Sequence, residues 1–311
     1  MKSRHAIHPD YGRIPVLNLK FSAPLIWLIN TILKLERFFK NARPAAGVER
    51  KIIKIASGEG PAMKAVVSRP INAAANLPIL LYCHGGGFIL TYSALHMKLC
   101  ERYALEAACI VVMVDYRLGP AHLFPKGFND CYAALEWCRS NAAKLGGDTN
   151  RVAVMGDSAG ATLAAGVTQK ALDQQIALRA QLLVYPALDS ECKTFSATDF
   201  TDVPLVNADA IQRIWALYLK DCGGVPPTYA APGHRKNLRG LPRTLIDTAE
   251  FDPLRDEGIA YAKALEAQGV DVTLNQTQGT IHGFEVAAQN PETVRSIERR
   301  IAFLKASFAA E

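Results

Sequence analysis

From about residue 50 onward, short apolar segments alternate with longer amphipathic ones. Six segments have the length of a strand and are apolar at nearly every position; they span residues 79–83, 110–114, 152–155, 182–185, 244–248 and 270–275. Helical spacing of apolar residues is found at 94–108, 129–145, 159–172, 254–268 and 292–308. Strands buried on both faces and separated by such helices indicate a mostly parallel sheet with helices on both sides. The pattern therefore predicts an α/β fold whose ligands bind beyond the carboxyl ends of the strands.

Two stretches outside this alternation predict further elements. Segments 51–56 and 63–69 flank a glycine-containing turn at 57–61, which is typical of a hairpin. Residues 190–227 contain many large apolar residues but no core strand. We therefore expect a helical cap insertion there, lying above the strand ends.

The N-terminal region has one apolar stretch, residues 23–33, which is too short to span a bilayer and poorly flanked for a secretory signal. Helical spacing continues to residue 39 and places these apolar residues together: Trp27, Leu28, Ile32, Leu35, Phe38 and Phe39. We expect the helix to pack on the body of the protein, because its polar face is weakly basic for a membrane-surface helix. We predict residues 1–48 as an N-terminal cap segment and residues 49–311 as the main α/β domain.

Composition and charge exclude several classes of protein. A chain of 311 residues can form one large α/β domain with a lid. The net charge of +6 arises from scattered basic residues without long runs, so we expect no nucleic-acid partner. Seven cysteines without a C-x-x-C pair predict reduced thiols in a cytoplasmic protein. Seven histidines show no metal-ligand spacing, so no metal site is predicted.

The sequence Gly156-Asp157-Ser158-Ala159-Gly160 lies between a predicted strand and a predicted helix. A G-x-S-x-G motif in this context is typical of a nucleophile elbow, in which a strained turn holds the serine oxygen above the sheet edge. The helix N-terminus favours negative charge that develops there. Ser158 is thus a candidate nucleophile, and the alternative is a glycine-rich turn with an idle serine.

A second glycine motif, His84-Gly85-Gly86-Gly87, directly follows the strand predicted at 79–83. Successive glycines allow backbone N–H groups to converge on one point, as an oxyanion hole requires. Such a loop could instead hold a phosphate, but the Lys-Ser/Thr pair of a P-loop does not follow. We expect His84 itself to be structural.

A serine nucleophile needs a histidine base and a carboxylate that orients the histidine. His282 fits best, because it lies in a glycine-flanked loop between the last predicted strand and the last helix. The acid should precede it at the end of the previous strand, where Asp252 is found. Glu250 and Asp256 are alternative candidates for the acid. Asp256, however, lies in the first turn of the next predicted helix, where an acidic residue stabilises the helix dipole, and Glu250 lies at the end of the strand itself.

Together these motifs resemble the hormone-sensitive-lipase-like branch of the α/β hydrolases, which includes many bacterial carboxylesterases. The resemblance runs from about residue 77 to 284 and is carried by His-Gly-Gly-Gly-Phe at 84–88, Asp-Tyr-Arg-Leu at 115–118, Phe-Pro at 124–125, Gly-Asp-Ser-Ala-Gly at 156–160, Tyr-Pro at 185–186 with Asp189, Asp-Pro-Leu-Arg-Asp at 252–256 and His-Gly-Phe at 282–284. The chain departs from the family pattern at Ala121, Ala161 and Thr162.

The resemblance implies an α/β-hydrolase fold with a helical cap, no cofactor, and a triad of Ser158, Asp252 and His282. It also implies an oxyanion hole formed by the N–H groups of Gly85, Gly86 and Ala159. We therefore predict a serine carboxylesterase that takes small, uncharged esters of short to medium acyl chains.

An amidase, formamidase or lactonase would use the same triad. A non-catalytic receptor, like the gibberellin receptors that resemble this family, is disfavoured because His282 is retained. No stable membrane insertion is predicted, while weak association with a membrane surface and a homodimer both stay open.

Overall fold

The predicted apolar segments form parallel strands of a single sheet. The structure is a computed structural model, and it describes residues 4–16, 22–40, 43–56, 60–223 and 227–309. The strands of this described part are β1 (Val48–Ile55), β2 (Met63–Pro70), β3 (Leu77–Cys83), β4 (Ile110–Asp115), β5 (Gly147–Asp157), β6 (Ala180–Val184), β7 (Arg243–Phe251) and β8 (Val272–Ile281). Their order in the sheet is β1-β2-β4-β3-β5-β6-β7-β8. β1, β2 and β4 pair antiparallel, whereas β3 to β8 are mutually parallel. The predicted α/β fold class is confirmed.

Helices cover both faces of the sheet. Those of the described residues are α1 (Ala23–Lys40), α2 (Ala94–Glu106), α3 (Lys126–Ser140), α4 (Ala142–Leu145), α5 (Ala159–Asp173), α6 (Phe195–Asp199), α7 (Ala208–Tyr218), α8 (Arg255–Glu266) and α9 (Pro291–Ala309). Along β3, Ile79 and Leu81 belong to the core that includes residues of α3, α5 and α8, while Leu80 and Tyr82 belong to the core that includes residues of α2 and α9. Alternate residues of one strand therefore contribute to two separate cores, which explains why the strand is apolar throughout.

Several element boundaries differ from the prediction. The helix predicted at 129–145 begins at Lys126 and is divided at Asn141 into α3 and α4. The last strand, predicted at 270–275, continues to Ile281. The prediction ended too early because this is an edge strand, and its exposed residues Gln276 and Gln278 are polar and interrupt the apolar run. The predicted hairpin is present as β1 and β2, but residues 57–59 of its turn lie outside the described residues.

Helix α1 packs on the body through a face that we did not predict. Ile26 is buried, and the polar residues Asn30 and Arg37 fix the helix to the loop that precedes α2. The side chain of Asn30 donates to the Ile89 carbonyl and accepts from the Thr91 N–H, at 2.9 and 2.7 Å. The six apolar residues expected to pack inward are instead 48–76% exposed, so that expectation was wrong. Specific hydrogen bonds, rather than the larger apolar face, decide the orientation of the helix.

A buried ion-pair network ties α9 to the end of the sheet. Arg300, only 1% exposed, pairs with Asp247 of β7 and, at 2.6 Å, with Glu285. Replacing Arg300 with alanine should lower the free energy of unfolding by about 3–5 kcal/mol, because two buried carboxylates lose their cation. Urea denaturation would measure the loss. Arg295→Ala, which removes an exposed pair with Glu292, should cost less than about 1 kcal/mol, and equal losses for the two variants would contradict the prediction.

The carboxyl ends of four parallel strands bring the chemically important residues to one edge of the sheet. His84 directly follows β3, Ser158 follows β5, Asp252 follows β7 and His282 follows β8. Because these strands are parallel and hydrogen-bonded in register, residues that follow them emerge on the same side. The fold thus gathers residues that are far apart in the sequence.

Candidate active site

Ser158 occupies the sharp turn between β5 and α5. Its backbone φ is +54°, a left-handed value that is strained for a residue with a side chain. The turn brings backbone segments very close: a Cβ on Gly156 would lie 2.2 Å from the Gly160 carbonyl oxygen, and a Cβ on Gly160 would lie 2.1 Å from that of Cys83. Glycine is therefore required at both positions, and the geometry is that of a nucleophile elbow.

The structure brings His282 and Asp252 into a hydrogen-bonded chain with Ser158. His282 Nε2 lies 2.9 Å from Ser158 Oγ, and His282 Nδ1 lies 2.8 Å from Asp252 Oδ2. An ionised carboxylate can only accept, so Nδ1 carries the proton and Nε2 is free to accept from the serine hydroxyl. Asp252 is fully buried and His282 is 5% exposed. This arrangement can transfer a proton from the serine to the imidazole.

The two alternative acids are engaged elsewhere. Glu250 Oε2 accepts from the Gly279 N–H at 2.6 Å. Asp256 accepts from the Ser196 N–H at 2.9 Å and pairs with Arg255 at 2.8 Å, so it links α8 to α6. Of the three candidate acids, Asp252 is the one whose hydrogen bond to the imidazole of His282 the structure records.

The glycine loop after β3 differs from the prediction at its first glycine. The N–H of Gly85 donates to Asp157 Oδ1 at 3.0 Å, so it is not directed at the serine. Gly86 and Gly87 line the cavity beside Ser158, and within the described residues neither of their N–H groups has a hydrogen-bond partner. The N–H of Ala159 is also unused by its helix, because it begins α5. The available donors are therefore Gly86, Gly87 and Ala159, and Gly85 is excluded because its donor is occupied.

Asp157, next to the nucleophile, is the centre of a network that the sequence did not reveal. Its Oδ1 accepts from the Tyr82 hydroxyl at 2.8 Å as well as from Gly85, and its Oδ2 lies 3.2 Å from His96 Nε2. Burial raises the pKa of Asp157, but His96 and the other donors outweigh it and lower the pKa to about 2. His96 Nδ1 accepts from the Ser93 N–H at 3.0 Å, so Nε2 is the nitrogen that donates to Asp157. The network holds the first glycine of the loop in place.

His84, by contrast, lies outside the cavity. It is fully buried, stacks on the ring of Tyr116 with centroids 4.4 Å apart, and places Nδ1 2.7 Å from the Gly85 carbonyl oxygen. Burial lowers the pKa of His84 to about 3, so the ring stays neutral. These contacts fit a residue that shapes the loop.

A cavity of about 490 Å³ opens above Ser158 and His282. The N-terminal helix contributes Ile29 to its wall, and the inserted segment contributes Ile211 and Trp215 from α7. Most of the remaining wall is apolar as well. The cavity can therefore accept an uncharged, mainly apolar molecule next to the serine oxygen.

Comparison with known proteins places the chain in a family. Residues 80–286 match the family model described as the alpha/beta hydrolase fold. The chain belongs to the α/β hydrolases. The carboxylesterase NlhH of Mycobacterium tuberculosis is 41% identical over 241 residues, covering 76% of this chain and 75% of that protein. Arylacetamide deacetylase of Mus musculus is 30% identical over 269 residues, covering 66% of this chain and 67% of that protein.

Solved structures of esterases match this α/β hydrolase over nearly the whole of its chain. The esterase LipW from Mycobacterium marinum is 33% identical, has a TM-score of 0.90, and covers 98% of this chain and 97% of its own. A bacterial heroin esterase is 32% identical, has a TM-score of 0.88, and covers 98% of this chain and 99% of its own. The predicted α/β-hydrolase fold and family are thereby confirmed.

None of the helices in the described part of the chain could span a lipid bilayer, given its length and apolar content. Among the same residues, histidine, cysteine and carboxylate side chains nowhere cluster as a set of three or more that could hold a metal ion.

The acid–base behaviour of this α/β hydrolase should follow His282. Burial disfavours the charged imidazole, but the carboxylate of Asp252 and, more weakly, Asp157 and Glu285 outweigh it, so the pKa of His282 is raised above 6.5. Only the neutral ring can accept the serine proton, so kcat/KM for an ester should fall as the pH drops through a pKa above 6.5. Values of kcat/KM measured between about pH 5 and 9 would show this decline toward acidic pH. The pKa obtained from this decline should be the same for two esters with different leaving groups. A rate independent of pH would contradict the assignment of His282 as the base.

Proposed function

We propose that this protein is a serine carboxylesterase with Ser158 as nucleophile, His282 as general base and acid, and Asp252 as the residue that orients His282. The observation that carries the proposal is the unbroken chain of two hydrogen bonds, 2.9 Å from Ser158 to His282 and 2.8 Å from His282 to Asp252. The strained elbow at Ser158 supports it, because strain of this kind is typical of a functional position.

In the first half of the reaction, Ser158 Oγ attacks the acyl carbon while its proton passes to His282 Nε2. The carbonyl oxygen becomes an oxyanion, which the N–H groups of Gly86, Gly87 and Ala159 stabilise. The carbon–oxygen bond to the alcohol then breaks, and the alcohol leaves with the proton from Nε2. The product is an acyl ester on Ser158.

In the second half, water replaces the alcohol. His282 removes one proton from the water as the hydroxide attacks the acyl carbon, and the same three N–H groups hold the second oxyanion. The bond to Ser158 then breaks, and Oγ recovers its proton from Nε2. Asp252 remains ionised throughout and stabilises the imidazolium that forms in each half.

The substrates that fit best are uncharged esters with short to medium acyl chains. The apolar wall of the cavity, including Ile211 and Trp215, favours such groups over ionised ones, which would lose hydration without gaining a partner. Residues 1–48 and 190–227 act as a cap, because helices from both segments contribute to this wall. All seven cysteines are free and six are buried, which fits a cytoplasmic location.

Amide hydrolysis is the second candidate, and the similarity to arylacetamide deacetylase favours it. The same triad can protonate a leaving amine through His282, so the chemistry of the leaving group separates the two functions. The test compares p-nitrophenyl butyrate with the matched p-nitroanilide of butyric acid. An esterase should hydrolyse the ester faster than the anilide, by a factor much larger than the ratio of the two uncatalysed rates. A preference for the anilide after that correction would identify an amidase, and turnover of neither would overturn both functions.

A further inference from the structure

Helix α1 exposes a continuous apolar surface that nothing in the catalytic mechanism uses. We define the α1 stripe as Trp27, Leu28, Ile32, Leu35, Phe38 and Phe39, whose side chains are 48–76% exposed. At 100° per residue, these positions fall within an arc of about 140° on one side of the helix. A contiguous apolar patch of this kind on a globular protein indicates an interaction surface.

The spacing within the α1 stripe fits a second helix. Leu28, Ile32, Leu35 and Phe39 follow one another by four, three and four residues, which is the spacing of the a and d positions in a heptad. Side chains at these positions form a narrow seam that fits into the gaps of a facing helix. A helix–helix contact would therefore cover the centre of the stripe.

The area of the α1 stripe also fits a stable dimer. Three of its six residues are aromatic, and an aromatic side chain offers about 150–250 Å², so the exposed part of the six amounts to roughly 800 Å². An interface of standard size buries about 800 Å² on each partner. One stripe facing another would thus reach that size without further contacts.

The charges around α1 favour a protein partner over a lipid surface. An interfacial helix usually presents a strongly basic polar face beside its apolar one. Here the opposite face is packed on the protein through Asn30 and Arg37, which contact the loop preceding α2. Of the lysines on the helix, Lys40 is paired with Glu36 at 3.0 Å. Lys34 is the other exposed lysine of α1, and a single lysine attracts anionic lipid only weakly.

We propose that a second copy of this chain covers the α1 stripe, with the two α1 helices antiparallel about a two-fold axis. Such an interface uses the same surface on both copies, as is usual for dimers. In this arrangement Ile32 of one copy lies against Leu35 of the other, and Leu28 lies against Phe39. Because Ile29 of the same helix lines the active-site cavity, the dimer also supports one wall of each cavity.

The test compares the wild-type protein with Ile32→Glu/Leu35→Glu by sedimentation velocity at micromolar concentration. The wild type should be a dimer, and the double variant should be a monomer with a dimer dissociation constant raised at least about a hundredfold, because four like charges would meet in an apolar seam. Phe195→Glu is the matched control, since Phe195 is 64% exposed but lies on α6. That variant should remain a dimer. The double variant should still hydrolyse p-nitrophenyl butyrate, which shows that it is folded.

A charge-reversed pair tests whether the two α1 helices contact each other through Ile32 and Leu35. Ile32→Lys/Leu35→Lys alone should be monomeric, and mixing it with the glutamate variant should restore a dimer containing one copy of each. A monomeric wild type, or a glutamate variant that stays dimeric, would overturn the proposal. So would failure of the mixed variants to associate. A wild type that is monomeric but sediments with phosphatidylcholine/phosphatidylglycerol vesicles would assign the α1 stripe to a lipid surface.

Discussion

Replacing Ser158 with alanine should reduce kcat for ester hydrolysis by about 10⁵- to 10⁶-fold, because Ser158 Oγ is the atom that forms the acyl intermediate. The oxyanion donors and the cavity would be unchanged, so a small residual rate above the uncatalysed reaction should persist. Steady-state rates with p-nitrophenyl butyrate would measure the loss. Mass spectrometry should show no acylated protein in the variant.

Ser93 offers a matched control within the same cavity. Its Oγ lies 2.8 Å from His96 Nδ1, and His96 Nε2 lies 3.2 Å from Asp157, so a second Ser–His–Asp sequence lines the cavity. Ser93 nevertheless caps α2 and has no strained turn, so Ser93→Ala should cost about 1 kcal/mol of stability and change kcat by less than about tenfold. If Ser93→Ala abolished hydrolysis while Ser158→Ala did not, the nucleophile would be Ser93.

The ends of the parallel strands are the part of the site that the sequence locates well. Ser158, Asp252 and His282 each follow directly on the last residue of a strand. Runs of apolar residues reveal such strands, and parallel strands place their carboxyl ends along one edge. Hydrophobic pattern and chain order are thus enough to predict that the three side chains approach one another.

The direction of individual N–H groups cannot be predicted in the same way. Gly85, Gly86 and Gly87 are identical in the sequence, yet only the first donates to Asp157. The difference arises from backbone torsions, with φ of +120° at Gly86 and +60° at Gly87, and from the position of a carboxylate on a different strand. Both depend on tertiary structure, so the prediction was wrong for Gly85.

The orientation of α1 was missed for a related reason. Apolar residues lie on more than one side of this helix, because Ile26 and Ile29 lie outside the arc of the α1 stripe. Helical periodicity identifies the helix but cannot choose between two apolar faces. Hydrogen bonds from Asn30 and Arg37 to a loop some 50 residues or more away make the choice.

Replacing Asp252 with asparagine should lower kcat by about 10⁴-fold, the second largest effect that we expect, even though the two side chains have the same shape. Asp252 Oδ1 accepts from the Leu254 N–H at 2.9 Å, so the amide oxygen of asparagine should take that position. Its NH₂ group would then face His282 Nδ1 and donate to it. The imidazole would carry its proton on Nε2 and could no longer accept one from Ser158.

The alternative acids supply matched controls for this variant. Asp256→Asn and Glu250→Gln should each retain kcat within about tenfold, because their carboxylates bind backbone N–H groups and an arginine rather than the imidazole. All three variants should unfold cooperatively on heating, which separates loss of catalysis from loss of structure. KM should change little in Asp252→Asn, since the cavity that binds the ester is untouched. A ten-thousandfold loss in Asp256→Asn instead would transfer the orienting role to that residue.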